Sequence, residues 1–449
     1  MNNYGFYGLN GARCRIMGLG RSNEALIKYL NSKGAEIYVS DKRKSENEIA
    51  DVLQNNGIKN AKILPYNDIS KVDYVFRTPA IRCDAHEIVS LMSKGAILSS
   101  EVELFFEIAR GKIYGITGSD GKTTTTTLAY EIIKDKYGED NVFLGGNIGI
   151  PLISFADKLK VNGITVCELS SFQLMTLKRS PERSAITNIT ENHLDYHLDI
   201  DEYINSKCRI VGDLCKRLVI SEKAYKVIKD RLKYRSFELM LTSLTSSADI
   251  YAENGKIVLN GEEILDISDI RVSGRHNIEN FMTAIGISFP EADKRNVLSV
   301  AKRFNGVAHR NELVREVNGV RYYNCSIDST PSRTLATLVS HIGEDITLIC
   351  GGYDKKLDFS EFSRVAPTFV NRFVLFGENK NKISSALNSN TSFDKKVYSV
   401  SDLKSAVLLS AELSKNESSV VLSPASASFD MFADFEERGN LFKTIVNLL

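Results

Sequence analysis

Apolar residues recur along the chain in short runs separated by amphipathic stretches, a pattern that predicts strands alternating with helices. The first clear unit runs from Ala12 to Asp41. It holds an apolar strand, ARCRIMGLG, a helical stretch from Ser22 to Lys33 closed by Gly34, and a second strand, AEIYVSD, ending in an acid. That order predicts a β-α-β unit. A second block opens near Ser99 with the acidic, helix-like SSEVELFFEIARG, passes through the strand KIYGITG, and alternates strands and helices to about Phe304. A third block, from about Asn305 to the C-terminus, alternates again, with ITLICGG and SSVVLSPAS as strands between helices. No repeat period, low-complexity tract or long charge run interrupts the pattern. The expected domains, 1–98, 99–304 and 305–449, are therefore joined by short linkers near Ser99 and Asn305.

Composition agrees with several ordinary cores. A chain of 449 residues is too long for one hydrophobic core. With 43% hydrophobic and 25% charged residues, long disorder is not expected. The formal charge of +1 argues against nucleic acid as a partner. Seven cysteines, odd in number and never in a C-x-x-C pair, read as reduced thiols. The N-terminal residues lack the apolar core of a signal peptide, and no run approaches the ~20 apolar residues of a membrane span. The expectation is a cytoplasmic monomer with no membrane partner.

Two glycine turns carry candidate chemistry. Gly18-Leu19-Gly20 lies between strand and helix, and Asp41 stands where a ribose-binding acid often does. Asn23 takes the place of a third glycine, so this turn reads either as a nucleotide site or as a plain parallel-sheet edge. The second turn, Gly118-Ser119-Asp120-Gly121-Lys122-Thr123-Thr124, follows an apolar strand and opens a helix. Backbone N–H groups of such a loop cradle nucleotide phosphates, with Lys122 for the β- and γ-phosphates and Thr123 for Mg²⁺. Ile116 stands where the strict loop pattern has glycine, so the match is to T-G-[ST]-x-G-K-T.

That variant resembles the ATP loop of the Mur ligase family and its folylpolyglutamate-synthetase relatives. Further motifs resemble the family's in order and spacing: Gly-Gly-Asn-Ile-Gly (145–149), Glu168-Leu-Ser-Ser-Phe-Gln-Leu, Asn188-Ile-Thr-Glu-Asn-His193-Leu-Asp and Tyr203-Ile-Asn-Ser-Lys207. Gly274-Arg-His-Asn277-Ile-Glu-Asn280 and Ala308-His-Arg310 follow. The run Ser423-Pro-Ala-Ser-Ala-Ser428-Phe-Asp, continuing to Phe435-Glu-Glu-Arg-Gly, and Arg77-Thr-Pro-Ala-Ile-Arg82 resemble the branch that adds D-glutamate. The resemblance implies an α/β fold of three domains. The N-terminal domain would be Rossmann-like, the central one a P-loop ATPase-type parallel sheet, and the C-terminal one again Rossmann-like. It further implies ATP-dependent ligation of D-glutamate to UDP-N-acetylmuramoyl-L-alanine through an acyl phosphate, with two Mg²⁺ ions.

Residue roles follow from the resemblance position by position. Asn277, Asn280 and Arg310 join the loop in holding ATP. Gly20, Arg21, Ser22, Asp41, Lys42, Thr78, Pro79 and Asn147 meet the UDP-substrate. Ser329, Lys355, Ser428, Phe429 and Phe435 form the D-glutamate pocket; Arg333 either adds a bidentate contact there or makes a surface salt bridge. Thr123, Glu168, His193 and Lys207 are the implied metal set, and Lys122, Glu168, His193 and Lys207 the catalytic one. Taken alone, Glu168 reads as an N-cap or surface acid and His193 as a structural or exposed histidine; the surrounding motifs assign their roles. Lys207 matches a lysine that CO₂ carbamoylates, a reaction that needs a neutral amine and hence burial or nearby cations. Because its candidates are spread over two blocks, the chain is expected to close on its substrates.

Three positions depart from the family pattern. Cys325 takes an aspartate's place and Ile327 a lysine's, which puts ATP affinity in question. Cys325 reads as a small, partly buried thiol, and Cys325→Asp is expected to strengthen nucleotide binding. Ala80 replaces a glycine, which matters if that backbone needs positive φ. The alternatives are a sister ligase for another amino acid such as L-glutamate; a non-catalytic UDP-muropeptide-binding paralogue, against which Lys122, Glu168, His193 and Lys207 together argue; and a P-loop transporter or motor ATPase, disfavoured because no signature for one stands beyond the loop. The sequence does not give the stereochemistry of the amino acid.

Overall fold

The computed structural model describes residues 8–191, 196–232, 236–272, 274–390 and 394–449. The chain divides into two compact units, Met1–Arg303 and Phe304–Leu449. Three sheets organise them.

The first sheet contains β1 (Arg13–Met17), β2 (Glu36–Ser40), β3 (Lys62–Ile63), β4 (Tyr74–Arg77) and β5 (Ile97–Ser99), in the order β3-β2-β1-β4-β5. Every pairing is parallel. The helix between β1 and β2 spans Arg21–Ser32, close to the expected bounds.

The second sheet holds β6 (Lys112–Thr117), β7 (Val142–Gly146), β8 (Ile164–Glu168), β9 (Arg183–Ile186), β10 (Arg217–Ser221), β11 (Glu238–Ser243), β12 (Ile250–Glu253), β13 (Lys256–Leu259) and β14 (Glu262–Asp266). Its order is β14-β13-β12-β11-β10-β9-β6-β8-β7. Pairing is parallel from β7 to β12. All five residues of β8 are buried, as expected of a strand covered on both faces. The stretch from β12 to β14 departs from the expected alternation of strands and helices: it is an antiparallel meander. Its two turns carry Asn-Gly pairs with both residues at positive φ, Asn254-Gly255 and Asn260-Gly261. That backbone matches the twist of a tight hairpin.

The C-terminal unit has β15 (Glu312–Val317), β16 (Val320–Asn324), β17 (Asp345–Gly351), β18 (Val370–Phe376), β19 (Lys396–Ser399) and β20 (Ser418–Leu422), ordered β15-β16-β20-β17-β18-β19. Only β15 runs antiparallel, joined to β16 by a third Asn-Gly turn at Asn318. The remaining pairings are parallel. Residues of β17 and β20 are almost wholly buried and separate two apolar layers, one around Phe362 and Phe373, the other around Tyr322 and Phe442. Among the described residues no helix is long and apolar enough to cross a membrane.

In all three sheets the candidate residues gather where parallel strands end. This is the end at which loops and helix N-termini are free to meet a ligand.

Candidate functional site

At the end of β6 the chain turns through Gly118, at φ 151°, and Gly121, at φ 74°, into the helix Lys122–Tyr137. A Cβ on Gly118 would collide with the Thr187 hydroxyl, and one on Gly121 with the Asn280 amide, so both glycines are required by close approach as well as by φ. The loop is held from β9: the Asn188 side-chain oxygen accepts the Ser119 N–H at 3.0 Å and the Asp120 N–H at 2.7 Å. The Thr187 hydroxyl donates to the Asp120 carbonyl at 2.5 Å. Lys122 curls back so that its ammonium donates to the Ser119 carbonyl at 2.8 Å.

Thr123 and Glu168 meet beside this loop. The Thr123 hydroxyl donates to Glu168 Oε2 at 2.7 Å, and the Asn147 amide, just past β7, donates to Oε1 at 2.7 Å. Glu168 ends β8 and is 1% exposed, so it is neither an N-cap nor a surface acid. Ser170, two residues on, caps the next helix with Gln173 in a reciprocal capping box. A hydroxyl and a carboxylate side by side at a phosphate loop form a hard-oxygen pair suited to Mg²⁺. Asn280 follows from the helix Arg275–Ser288, accepting from the Thr125 hydroxyl at 3.2 Å and donating to Asn277 at 3.4 Å.

Lys207, near the end of the helix Ile200–Cys208, is 2% exposed and donates to the Gly118 carbonyl at 2.6 Å. Its ammonium lies 4.6 Å from the Tyr203 ring centroid, one helical turn back. Tyr203 in turn shares a 2.8 Å hydrogen bond with the Ser119 hydroxyl. Burial, reinforced by the Lys122 cation and opposed by Asp120 and Glu168, pulls the Lys207 ammonium down to about 7. His193 lies outside the described residues.

The first sheet presents a second group. Asp41, past β2, accepts the Leu19 N–H at 2.6 Å and closes its own turn by accepting the Arg43 N–H at 2.7 Å. Thr78 packs so closely on Gly18 that a Cβ there would clash. Pro79 offers its carbonyl to the Tyr196 hydroxyl at 2.8 Å. Gly20 precedes the helix as its N-cap, with Arg21 and Ser22 in the first turn, while Lys42 is exposed beside Asp41. Ala80 is not at positive φ, so the residue that replaces the family's glycine sits there without strain. Arg77, 1% exposed, donates to the Phe172 carbonyl at 2.8 Å and ties β4 to the helix that follows Glu168.

In the C-terminal unit the residues following β16, β17 and β20 hold the third group. Ser428 is buried, whereas Phe429 is 60% exposed and lies under the Lys355 ammonium at 5.5 Å. Phe435 opens the helix Phe435–Asn447, and its carbonyl accepts the Ser326 hydroxyl at 2.8 Å. Ser329 and Arg333 flank the N-cap Thr330 of the helix Pro331–Val339; Arg333 and Arg310 are both exposed. Arg333 makes no surface salt bridge among the described residues. Cys325 is fully buried rather than partly so, because its N–H pairs with the Leu422 carbonyl at 2.8 Å and brings the side chain into the apolar layer. Burial pushes its thiol well up, so it is an inert group.

Several contributors were not singled out from sequence. Asn188 and Tyr203 lay inside quoted motifs, and the i, i+4 spacing of Tyr203 and Lys207 puts both on one helix face. Asp328 closes the stretch that contains Cys325 and Ile327 but was given no role from sequence. It is 6% exposed and accepts the Thr337 hydroxyl at 2.7 Å and the Ser423 hydroxyl at 2.8 Å.

Fold and loop together define a phosphate-loop α/β protein. Residues 116–288 match the Mur ligase middle domain and residues 13–86 the MurD N-terminal domain. The chain is 39% identical to the UDP-N-acetylmuramoylalanine--D-glutamate ligase of Clostridium botulinum (strain Kyoto / Type A2), covering 97% of this chain and 96% of that protein. It is 40% identical to the like-named ligase of Clostridium kluyveri, covering 96% of each. The fold is shared with the UDP-N-acetylmuramate-alanine ligase MurC of Thermotoga maritima at a TM-score of 0.57 and 20% identity, covering 97% of this chain and 99% of that one. The chain belongs to the Mur ligase family.

Proposed function

We propose that the protein is an ATP-dependent ligase that joins D-glutamate to UDP-N-acetylmuramoyl-L-alanine in peptidoglycan synthesis, releasing ADP and phosphate. The observation that carries this reading is the similarity, over 97% of the chain, to a protein named for that ligation. The work divides among domains 1–98 for the UDP-substrate, 99–304 for ATP and 305–449 for the amino acid. All seven cysteines are free thiols, which supports a reducing compartment, the cytoplasm.

Amide formation requires a better leaving group than oxide on the alanyl carboxylate. The γ-phosphoryl group passes to a carboxylate oxygen and ADP departs. The glutamate nitrogen then attacks the carbonyl carbon, loses a proton, and phosphate leaves with the former carboxylate oxygen. Negative charge gathers at each stage, so fixed cations and N–H donors are the main requirement. Loop N–H groups and Lys122 meet the phosphates. Thr123 and Glu168 would hold Mg²⁺, with His193 and Lys207 assigned to a second ion; Mg²⁺ there would supply neutralisation of the gathering negative charge. Near-neutral Lys207 is suited to carbamoylation, since only the free amine attacks CO₂. Asn188, Thr187 and Tyr203 hold the loop in shape throughout.

A phosphate-release screen of amino acids, run with ATP, Mg²⁺ and UDP-N-acetylmuramoyl-L-alanine, tests the assignment. D-glutamate alone should give turnover, and Lys122→Ala should abolish it while retaining the parental circular dichroism. Turnover with L-glutamate instead, or a fully active Lys122→Ala, would overturn the reading.

A further inference from the structure

The loops that leave β17 and β20 are stitched together by the Tyr353 N–H, which donates to the Ala427 carbonyl at 2.9 Å. Two residues past each stitch point stand Lys355 and Phe429, the ammonium 5.5 Å from the ring centroid. Tyr353 meets the same ring edge-on, with centroids 6.3 Å apart and planes at 69°. Phe429 is nevertheless 60% exposed and Tyr353 41%. A phenylalanine this open forgoes most of the burial that normally stabilises the residue, so what its face touches decides its role.

The neighbouring carboxylates Asp354 and Asp430 have partners of their own. Asp354, its chain neighbour, is engaged by Lys382 at 3.0 Å and by the Lys356 N–H at 2.7 Å. Asp430, beside Phe429, accepts the Glu378 N–H at 3.0 Å. Among the described residues Lys355 has no ion-pair partner. A carboxylate placed here would fix the ammonium but also neutralise it, and would compete with any anionic ligand. A π face attracts the cation and leaves its charge intact.

We propose that Phe429 is a positioning residue whose ring holds the Lys355 ammonium for a carboxylate of the amino-acid substrate. The inference rests on the assignment of Lys355 to the glutamate site. Aromatic character at 429 thereby sets affinity for a dicarboxylate without taking part in the chemistry.

Steady-state kinetics of the full chain test it. Phe429→Leu should raise KM for D-glutamate roughly two- to fivefold, the equivalent of an exposed cation–π contact. The values of kcat and of KM for ATP should stay, and Phe429→Trp should restore the glutamate KM. In a Lys355→Ala background the leucine should add nothing. An unchanged KM in Phe429→Leu, or the same loss without Lys355, overturns the proposal. Anchoring is also read without substrate: ¹³C-methylated Lys355 should show an upfield ring-current shift that Phe429→Leu removes. If that shift is present but Lys355→Ala leaves the glutamate KM untouched, the glutamate assignment of Lys355 has failed; if the shift is absent, the anchor has.

Discussion

Burial weakens the hold of Lys207 on its proton. Its folded ammonium titrates at about 7, whereas an unfolded lysine holds its proton to about 10.4. Between those values the unfolded chain binds the extra proton, so stability rises with pH. In CO₂-free buffer the parent should gain roughly 3–4 kcal/mol of unfolding free energy from pH 7 to 10 relative to Lys207→Met; parallel curves for the two proteins would contradict this. Lys207→Ala should lose most activity and regain part of it with small carboxylic acids that stand in for carbamate oxygens. Cys325 is the opposite case, where the family pattern misleads. Its site is fully buried, and Asp328 and Glu312 already lie close enough to push the thiol up. Cys325→Asp would thus bury a second carboxylate, and in place of the stronger nucleotide binding expected from sequence it should destabilise by roughly 3 kcal/mol. Adding Asp328→Ala should recover part of that loss in a denaturant titration; no recovery would mean the two positions are not coupled.

At the scale of elements, what is local was legible. Strand–loop–helix around Lys122 is written in consecutive residues, and so is the capped helix Glu101–Ile108. What depends on sheet order was not. Asn188 reaches the loop only because β9 pairs with β6, although their site residues are some 70 positions apart. The meander from β12 to β14 announced itself in two Asn-Gly turns, but a reading weighted toward alternating strands and helices passes over them. On the helix Glu101–Ile108 both Glu101 and Glu103 are buried. Glu101 accepts the Ile153 N–H at 2.8 Å, while one Glu103 oxygen has no hydrogen-bond partner. Burial pushes each carboxyl up to about 7. The folded helix therefore binds protons that the unfolded chain has released between about 4.5 and 7, and the associated stability is lost as pH rises through 7. Glu103→Gln should accordingly be more stable than the parent by about 3 kcal/mol at pH 8, with the difference vanishing near pH 4. A gap independent of pH would remove burial of the charge as its cause.

For the whole molecule, the sheets repeat one logic: central parallel strands such as β8 and β20 are buried on both faces, and candidate site residues follow where such strands end. Hence functional residues far apart in sequence form three groups, and their motifs could be read before the sheet order was known. In the proposed ligation a carboxylate is activated by phosphorylation before an amine attacks it. The most direct measurement follows the oxygen. With UDP-N-acetylmuramoyl-L-alanine carrying ¹⁸O in both alanyl carboxylate positions, ATP and D-glutamate, one ¹⁸O should appear in each phosphate released and one should remain in the new amide. Phosphate free of ¹⁸O alongside a formed amide would contradict activation of the carboxylate by phosphorylation.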